Sequence, residues 1–170
     1  MPLPNSGRIP ELLLDTSVVS AFVNAQMQPI EEAAFRQIVE HAQRGQLSIY
    51  ASTITREEID AIPLAYRSSH LREYETLARL RASQTEWIET NAESPDVGKL
   101  VNHTAYLALK AALKDENDAR LIFQAKMAGV HTFVTLDAKT ILNRASVIEG
   151  LVGVQVQSPS QYFSTTLKSA

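Results

Sequence analysis

"ELLLDTSVVSAF", residues 11–22, runs three leucines into an aspartate, follows it with two hydroxyl side chains and returns to apolar chain. Three leucines in a row fit a buried strand. An ionised carboxylate at the end of such a strand is costly unless it is hydrogen-bonded, paired or holding a metal. Asp15 therefore marks either a turn or a site. A second run has the same form: "HTFVTLD", residues 131–137, is again a short apolar strand closed by an aspartate.

Working outward, "QLSIYAS" (46–52) has the residues that suit a pleated surface, and "VGVQVQSP" (152–159) alternates cleanly as a final strand. Helical patterns lie between them. "PIEEAAFRQIVEHAQRG" (29–45) places Ala33, Ile38 and Ala42 near one face and stops at Gly45. "SSHLREYETLARLRAS" (68–83), "DVGKLVNHTAYLALKAALK" (96–114) and "ENDARLIFQAKMAG" (116–129) read as further helices, the last running through Gly129 into the strand before Asp137. Strands alternating with helices predict an α/β fold with a central, mainly parallel sheet.

The chain has 170 residues, 45% of them apolar, enough for one domain with a full core. We expect loose residues at 1–10, a single domain over 11–164 and a loose tail at 165–170. There is no cysteine, which removes disulfides, thiolate catalysis and iron-sulfur clusters from consideration. No segment reaches the roughly 18 to 20 apolar residues of a membrane span, and "MPLPNSGRIPE" lacks the apolar centre of a signal peptide. A soluble, cytoplasmic protein without membrane contact is expected. The net charge of −3 argues against nucleic-acid binding by bulk charge, so any such contact needs a local basic patch or bridging cations.

In an open parallel sheet, ligands bind beyond the carboxyl ends of the strands. Asp15 and Asp137 both fall there. Two more acids fall near the starts of helices that open on the same rim. In "STITREEIDAI" (52–62) the spacing of Ile54, Ile59 and Ile62 draws Glu58 into the inward stripe. In "DENDARLIFQAKMAG" (115–129) Asp118 stands three and four residues before Leu121 and Ile122 and begins the buried face. Each acid alone has a plainer explanation. Asp15 could cap a turn, Glu58 could complete a capping box with Thr55, Asp115 and Asp118 could sit at a helix start for the sake of its dipole, and Asp137 could begin a short turn over "AKTILNR". Convergence of four acids on one rim is what those explanations leave over. Carboxylates gathered in one cleft repel, and a divalent cation relieves them. Oxygen ligands select Mg2+ or Mn2+, the ions of phosphodiester chemistry.

At these residues the chain resembles the PIN-domain nucleases, and especially the VapC-like toxin ribonucleases of toxin-antitoxin systems. "LLLDTSVVSAF" looks like the family's first strand and acid, and "YASTITREEI" like its second strand with an acid-bearing helix. "DARLIFQAKMAGVHTFVTLD" looks like its third and fourth acids with the helix and strand between, and "VGVQVQSPSQYF" like its closing strand and proline turn. The resemblance implies a three-layer α/β/α fold with a helical segment at about 62–114. It implies a metal site of Asp15, Glu58, Asp118 and Asp137, with Asp115 as an outer acid or a helix cap. Thr16, Ser17 and Thr135 become polar neighbours that orient carboxylates or water; Ser17 stands where many relatives have asparagine. The implied activity is hydrolysis of RNA phosphodiester bonds by a Mg2+- or Mn2+-dependent endoribonuclease with a metal-activated water. The implied partners are RNA, an antitoxin protein seated along about 62–90, and a second copy of the chain.

Arg56, Arg120, Lys139 and Arg144 are candidates for phosphate contacts, or ordinary solvated helix residues. Tyr66, Tyr74 and Trp87 could stack bases or fill the core. His41, His70, His103 and His131 have no zinc-like spacing and read as structural or exposed. Two rivals remain. A phosphoryl-transfer domain of the haloacid-dehalogenase kind wants an aspartate where Ser17 stands, and a receiver domain wants a lysine at the late-strand position that Asp137 holds. The other rival is an RNA- or protein-binding module of the same fold without turnover.

Overall fold

The computed structural model describes residues 7–50 and 97–168 and, between them, positions 52, 58, 60–63, 65, 66, 68 and 72. The chain opens with β1 (Glu11–Leu14), turns at Asp15 directly into α1 (Thr16–Val23), and continues through α2 (Pro29–Gln43) to β2 (Ser48–Tyr50). After the central stretch come α3 (Val97–Leu113), α4 (Glu116–Met127) and β3 (Thr132–Val134). A 3-10 turn (Leu142–Arg144) leads to α5 (Ala145–Val152), then β4 (Gln155–Gln157), α6 (Pro159–Tyr162) and a closing π turn (Phe163–Leu167).

The four strands form one sheet in the order β2-β1-β3-β4, and every neighbouring pair is parallel. Leu12 pairs with Ile49, Leu13 with Phe133, and Phe133 with Val156. Side chains alternate across a strand, so the leucine run feeds two cores. Leu12 and Leu14 pack on one face with Val18, Phe35, Ile38 and Val134. Leu13 packs on the other with Leu109, Leu121, Ile122, Phe133 and Ile148. Helices α1, α2 and α6 thus cover one face and α3, α4 and α5 the other. This is the three-layer α/β/α arrangement, and it places the carboxyl ends of β1 and β3 side by side.

Several local expectations are refined. The inward face of α2 is Ala34, Phe35, Ile38 and Ala42, and Ala33 is exposed. The spacing of four from Ala34 to Ile38 to Ala42 keeps one face, whereas Ala33 lies a residue off it. Gly45 ends the helix at φ +70°, a left-handed conformation that suits glycine. The closing π turn carries the described chain past residue 164 as far as Leu167. Leu167 packs on the first of the two cores described above, and Gln157 donates to Thr165 Oγ1 at 3.1 Å. Helix α6 carries a reciprocal capping box between Ser158 and Gln161, and Ser160 donates both its amide (2.8 Å) and its hydroxyl (2.6 Å) to the Glu31 carboxylate on α2. These bonds fasten the tail to the sheet's helical cover. At the other end Pro10 already accepts from the Ser48 amide at 2.8 Å, extending the β1–β2 pairing by one residue. Of the helical segment expected at about 62–114, α3 is described; "SSHLREYETLARLRAS" lies outside the described residues apart from single positions.

Tyr162 is 1% exposed in the core of α1, α2 and the sheet, and its hydroxyl is buried without a hydrogen-bond partner. Burial pushes its ionisation up to about 12, so it stays neutral. A buried donor without a partner costs about 1 to 3 kcal/mol. Tyr162→Phe should therefore leave stability unchanged or raise it by about 1 kcal/mol, while Tyr162→Ala should lower it by about 3 to 5 kcal/mol through the cavity left behind. Urea unfolding of the three proteins checks this; a loss in Tyr162→Phe comparable to that in Tyr162→Ala would contradict it.

Candidate metal centre

Asp15 holds the N-cap position of α1 but makes no capping bond with its side chain. Its Oδ2 instead accepts two hydroxyls, from Ser17 at 2.6 Å and from Thr135 at 2.7 Å. Each hydroxyl is oriented in turn by an amide from the chain beyond β3. Leu136 N donates to Ser17 Oγ at 3.2 Å, and Asp137 N donates to Thr135 Oγ1 at 3.0 Å. The Asp15 amide donates to the Val134 carbonyl at 2.9 Å. The end of β1 and the end of β3 are thereby stitched through one carboxylate. Turn capping, the plainer explanation for Asp15, does not describe it.

The other acids differ from one another. Glu58 is half-buried and accepts a hydrogen bond from the Thr16 hydroxyl at the start of α1. The nearby Asn117 side chain also works against the rise in its proton affinity. Asp118 is half-buried in the first turn of α4. Asp115 is the cap of that helix, its Oδ1 accepting from the amides of Asn117 (2.8 Å) and Asp118 (3.2 Å). Asp137 also caps: it accepts the Thr140 amide at 2.9 Å and the Thr140 hydroxyl. Thr55, the partner of Glu58 in the plainer capping-box explanation, lies outside the described residues, as do Ile54 and Ile59.

Electrostatics join these groups. Burial raises Asp15, against the lowering effect of the two hydroxyls. Burial also raises Glu58, with repulsion from Asp15 and Asp115 adding to it. Asp118 is pushed up to about 7, by burial first and then by the charges of Asp15, Asp115, Asp137 and Glu58. Among the described residues, no three such side chains stand close enough to hold one ion as placed. The donor set itself fits a hard divalent cation: every group is a carboxylate or hydroxyl oxygen, and Asp15, Glu58 and Asp118 are raised in part by neighbouring carboxylates.

The remaining sequence candidates divide. Thr16, Ser17 and Thr135 all contact the acids. Arg120 is half-buried and donates Nη1 to Asn117 Oδ1 at 3.2 Å. Lys139 and Arg144 are exposed near the turn after Asp137. Arg56, Tyr74, Trp87, His70 and the side chain of His103 lie outside the described residues, and Tyr66 is 65% exposed. His41 bonds the Gln37 carbonyl one helical turn back, and His131 is exposed. Asn117 is the neighbour of Glu58 that sequence reading missed; its signal was adjacency to Asp118 and a spacing of three to Arg120 on one helix face. No family model, curated protein or solved structure significantly matches the chain.

A raised acid gives a definite sign. The Asp118 carboxyl holds its proton in the folded chain up to about 7 but releases it near 3.8 when unfolded. Between those values the folded state binds more protons, so stability falls as pH rises and levels off above the folded value. Asp15 and Glu58 are raised and act in the same direction. In chelator, the unfolding midpoint of the wild type should fall between about pH 4 and pH 7 more steeply than that of Asp118→Asn, which should be the more heat-stable protein at about pH 8. Thermal unfolding across pH reads this directly; parallel profiles would show that Asp118 is not held under repulsion.

Proposed function

We propose that this chain is a Mg2+- or Mn2+-dependent endoribonuclease of the PIN-domain kind, acting on single-stranded or looped RNA, and the toxin of a toxin-antitoxin pair. The observation that carries the reading is the Asp15 carboxylate, buried where two parallel strands end and coupled to Glu58, Asp118 and Asp137 across the same rim. Asp15, Glu58, Asp118 and Asp137 would hold the cation. When bound, such an ion neutralises charge on a phosphoryl oxygen and makes water more acidic. The chain's own contribution is positioning. Ser17 and Thr135 fix one oxygen of Asp15, Thr16 draws Glu58 inward, and the Asp115 cap sets the first turn that carries Asp118. Asp118, pushed up to about 7 by burial and by the neighbouring carboxylates, would be held ionised by a bound cation. Lys139, two residues after Asp137, and Arg144 are both exposed and would contact phosphates flanking the cleaved bond. An antitoxin protein and a second copy of the chain belong to the same proposal as partners.

A binding module without turnover is the second reading. It is favoured by the two bonds that Asp137 accepts from Thr140 and by the separation of the acids among the described residues. Cleavage of end-labelled RNA separates the two. With Mg2+ or Mn2+ the wild type should cut, chelator should abolish cutting, and equally folded Asp15→Asn and Asp118→Asn proteins should be slower by roughly a hundredfold or more. Cutting that survives both substitutions would refute the nuclease reading, and stoichiometric RNA binding without products would favour the module.

A further inference from the structure

Asp137 is tied down by more bonds than its turn needs. Its carbonyl accepts from the amides of Ile141 (3.3 Å) and Leu142 (2.8 Å), and its Oδ1 accepts the Thr140 amide at 2.9 Å. Those bonds close the turn that follows β3. A further bond lies outside them: the Thr140 hydroxyl donates to Oδ2, the other carboxylate oxygen, at 2.5 Å. Asp115 shows what capping alone looks like, since both amides it caps fall on the single oxygen Oδ1. Thr140 is exposed, so burial does not force its hydroxyl to find a protein partner. One residue thus grips both oxygens of Asp137, one with its backbone and the other with its side chain, and fixes a terminal carboxylate torsion that is otherwise broad. The backbone of Asp137 is fixed from the other side. Its amide donates to Thr135 Oγ1 at 3.0 Å, and that hydroxyl donates to Asp15 Oδ2 at 2.7 Å. A continuous line of hydrogen bonds therefore runs from Thr140 through Asp137 and Thr135 to Asp15.

We propose that Thr140 is a positioning residue, whose hydroxyl fixes the Asp137 carboxylate in the orientation in which it meets a divalent cation shared with Asp15. The proposal rests on the metal-nuclease reading above. A carboxylate oxygen that accepts one hydrogen bond keeps a second lone pair, so the grip of Thr140 does not use up the oxygens it holds. What it removes is rotation, and a ligand already held in place loses less entropy when an ion binds. The neutrality of the hydroxyl matters as well. A lysine or arginine on Asp137 would hold it too, but would neutralise the charge that attracts a cation.

The test is Mn2+ binding by the full chain, measured by calorimetry with Thr140→Val, Thr140→Ser, Asp137→Ala and the double variant Thr140→Val/Asp137→Ala. Valine keeps the shape of the side chain and the backbone amide and removes the hydroxyl alone. Thr140→Val should weaken Mn2+ binding about tenfold, as loss of an outer-shell partner does, with the unfolding midpoint in chelator showing that the variant is folded. Thr140→Ser, which keeps a hydroxyl, should bind within about twofold of the wild type. In the Asp137→Ala background Thr140→Val should change binding less than about twofold, because the group it acts through has gone. Thr140→Ala carries the same expectations if Thr140→Val does not fold, and the contrast with Thr140→Ser decides the matter if Asp137→Ala binds too weakly to measure. A role confined to capping would lower the unfolding midpoint and leave Mn2+ binding as in the wild type. That result, an equal loss in both backgrounds, or a loss in Thr140→Ser as large as in Thr140→Val overturns the proposal while leaving the metal reading standing. A wild type that binds no Mn2+ overturns the metal reading itself and the proposal with it.

Discussion

The buried carboxylate of Asp15 is the constraint around which the rest is arranged. It is 5% exposed at the junction of β1 and α1, where an unpaired charge would be prohibitive. Two hydroxyls make it tolerable, and they come from opposite sides of the junction: Ser17 from the first turn of α1, Thr135 from the end of β3. Each hydroxyl also accepts an amide, so its proton has little freedom but to point at Asp15. The β1–β3 register, the start of α1 and the path of the chain into Asp137 are therefore determined together.

Stability and site pull in opposite directions here. The two apolar cores flanking the sheet hold the strands, and the rim above them collects groups that disfavour the charged folded state. Asp15, Glu58 and Asp118 are all raised by burial first and then by neighbouring carboxylates: Asp137 for Asp15, Asp15 and Asp115 for Glu58, and Asp15, Asp115, Asp137 and Glu58 for Asp118. A surface acid in search of stability would be found beside a cation, as Glu32 is beside Arg36 and Glu40 beside Arg44 on α2. The rim acids are instead met by hydroxyls and an amide. Neutral donors keep the carboxylates in place without discharging them, which is the arrangement a cation-binding surface requires.

Much of the fold is legible in the sequence because its signals are local. Apolar runs ended by aspartate become β1 and β3, and glycine after a helical pattern becomes the left-handed stop at Gly45 and Gly129. The two-sided burial of β1 is written in the leucine triplet itself. Ala33 misled because alanine carries too little apolar surface to mark a face, whereas Phe35 and Ile38 do. The chain past residue 164 looked loose because its packing is not local: Leu167 rests on the core built from β1, α1 and α2. Asn117 was invisible for a similar reason. An asparagine in the first turn of a helix is ordinary, and only the fold brings Glu58 to it.

The acids also show that capping and site chemistry need not be alternatives. Asp115 caps its helix, and its charge also raises Glu58 and Asp118. Asp137 caps a turn through Thr140, yet it stands one strand away from Asp15 and contributes to the raised proton affinity of Asp118. Each carboxylate oxygen has a second lone pair, so an oxygen that accepts from Thr140 retains capacity to face the rim. Capping then does for Asp137 what Ser17 and Thr135 do for Asp15 and what Thr16 does for Glu58. It removes the side chain's rotational freedom before any ligand arrives, so the entropy of gathering mutually repelling groups is met during folding and not at binding.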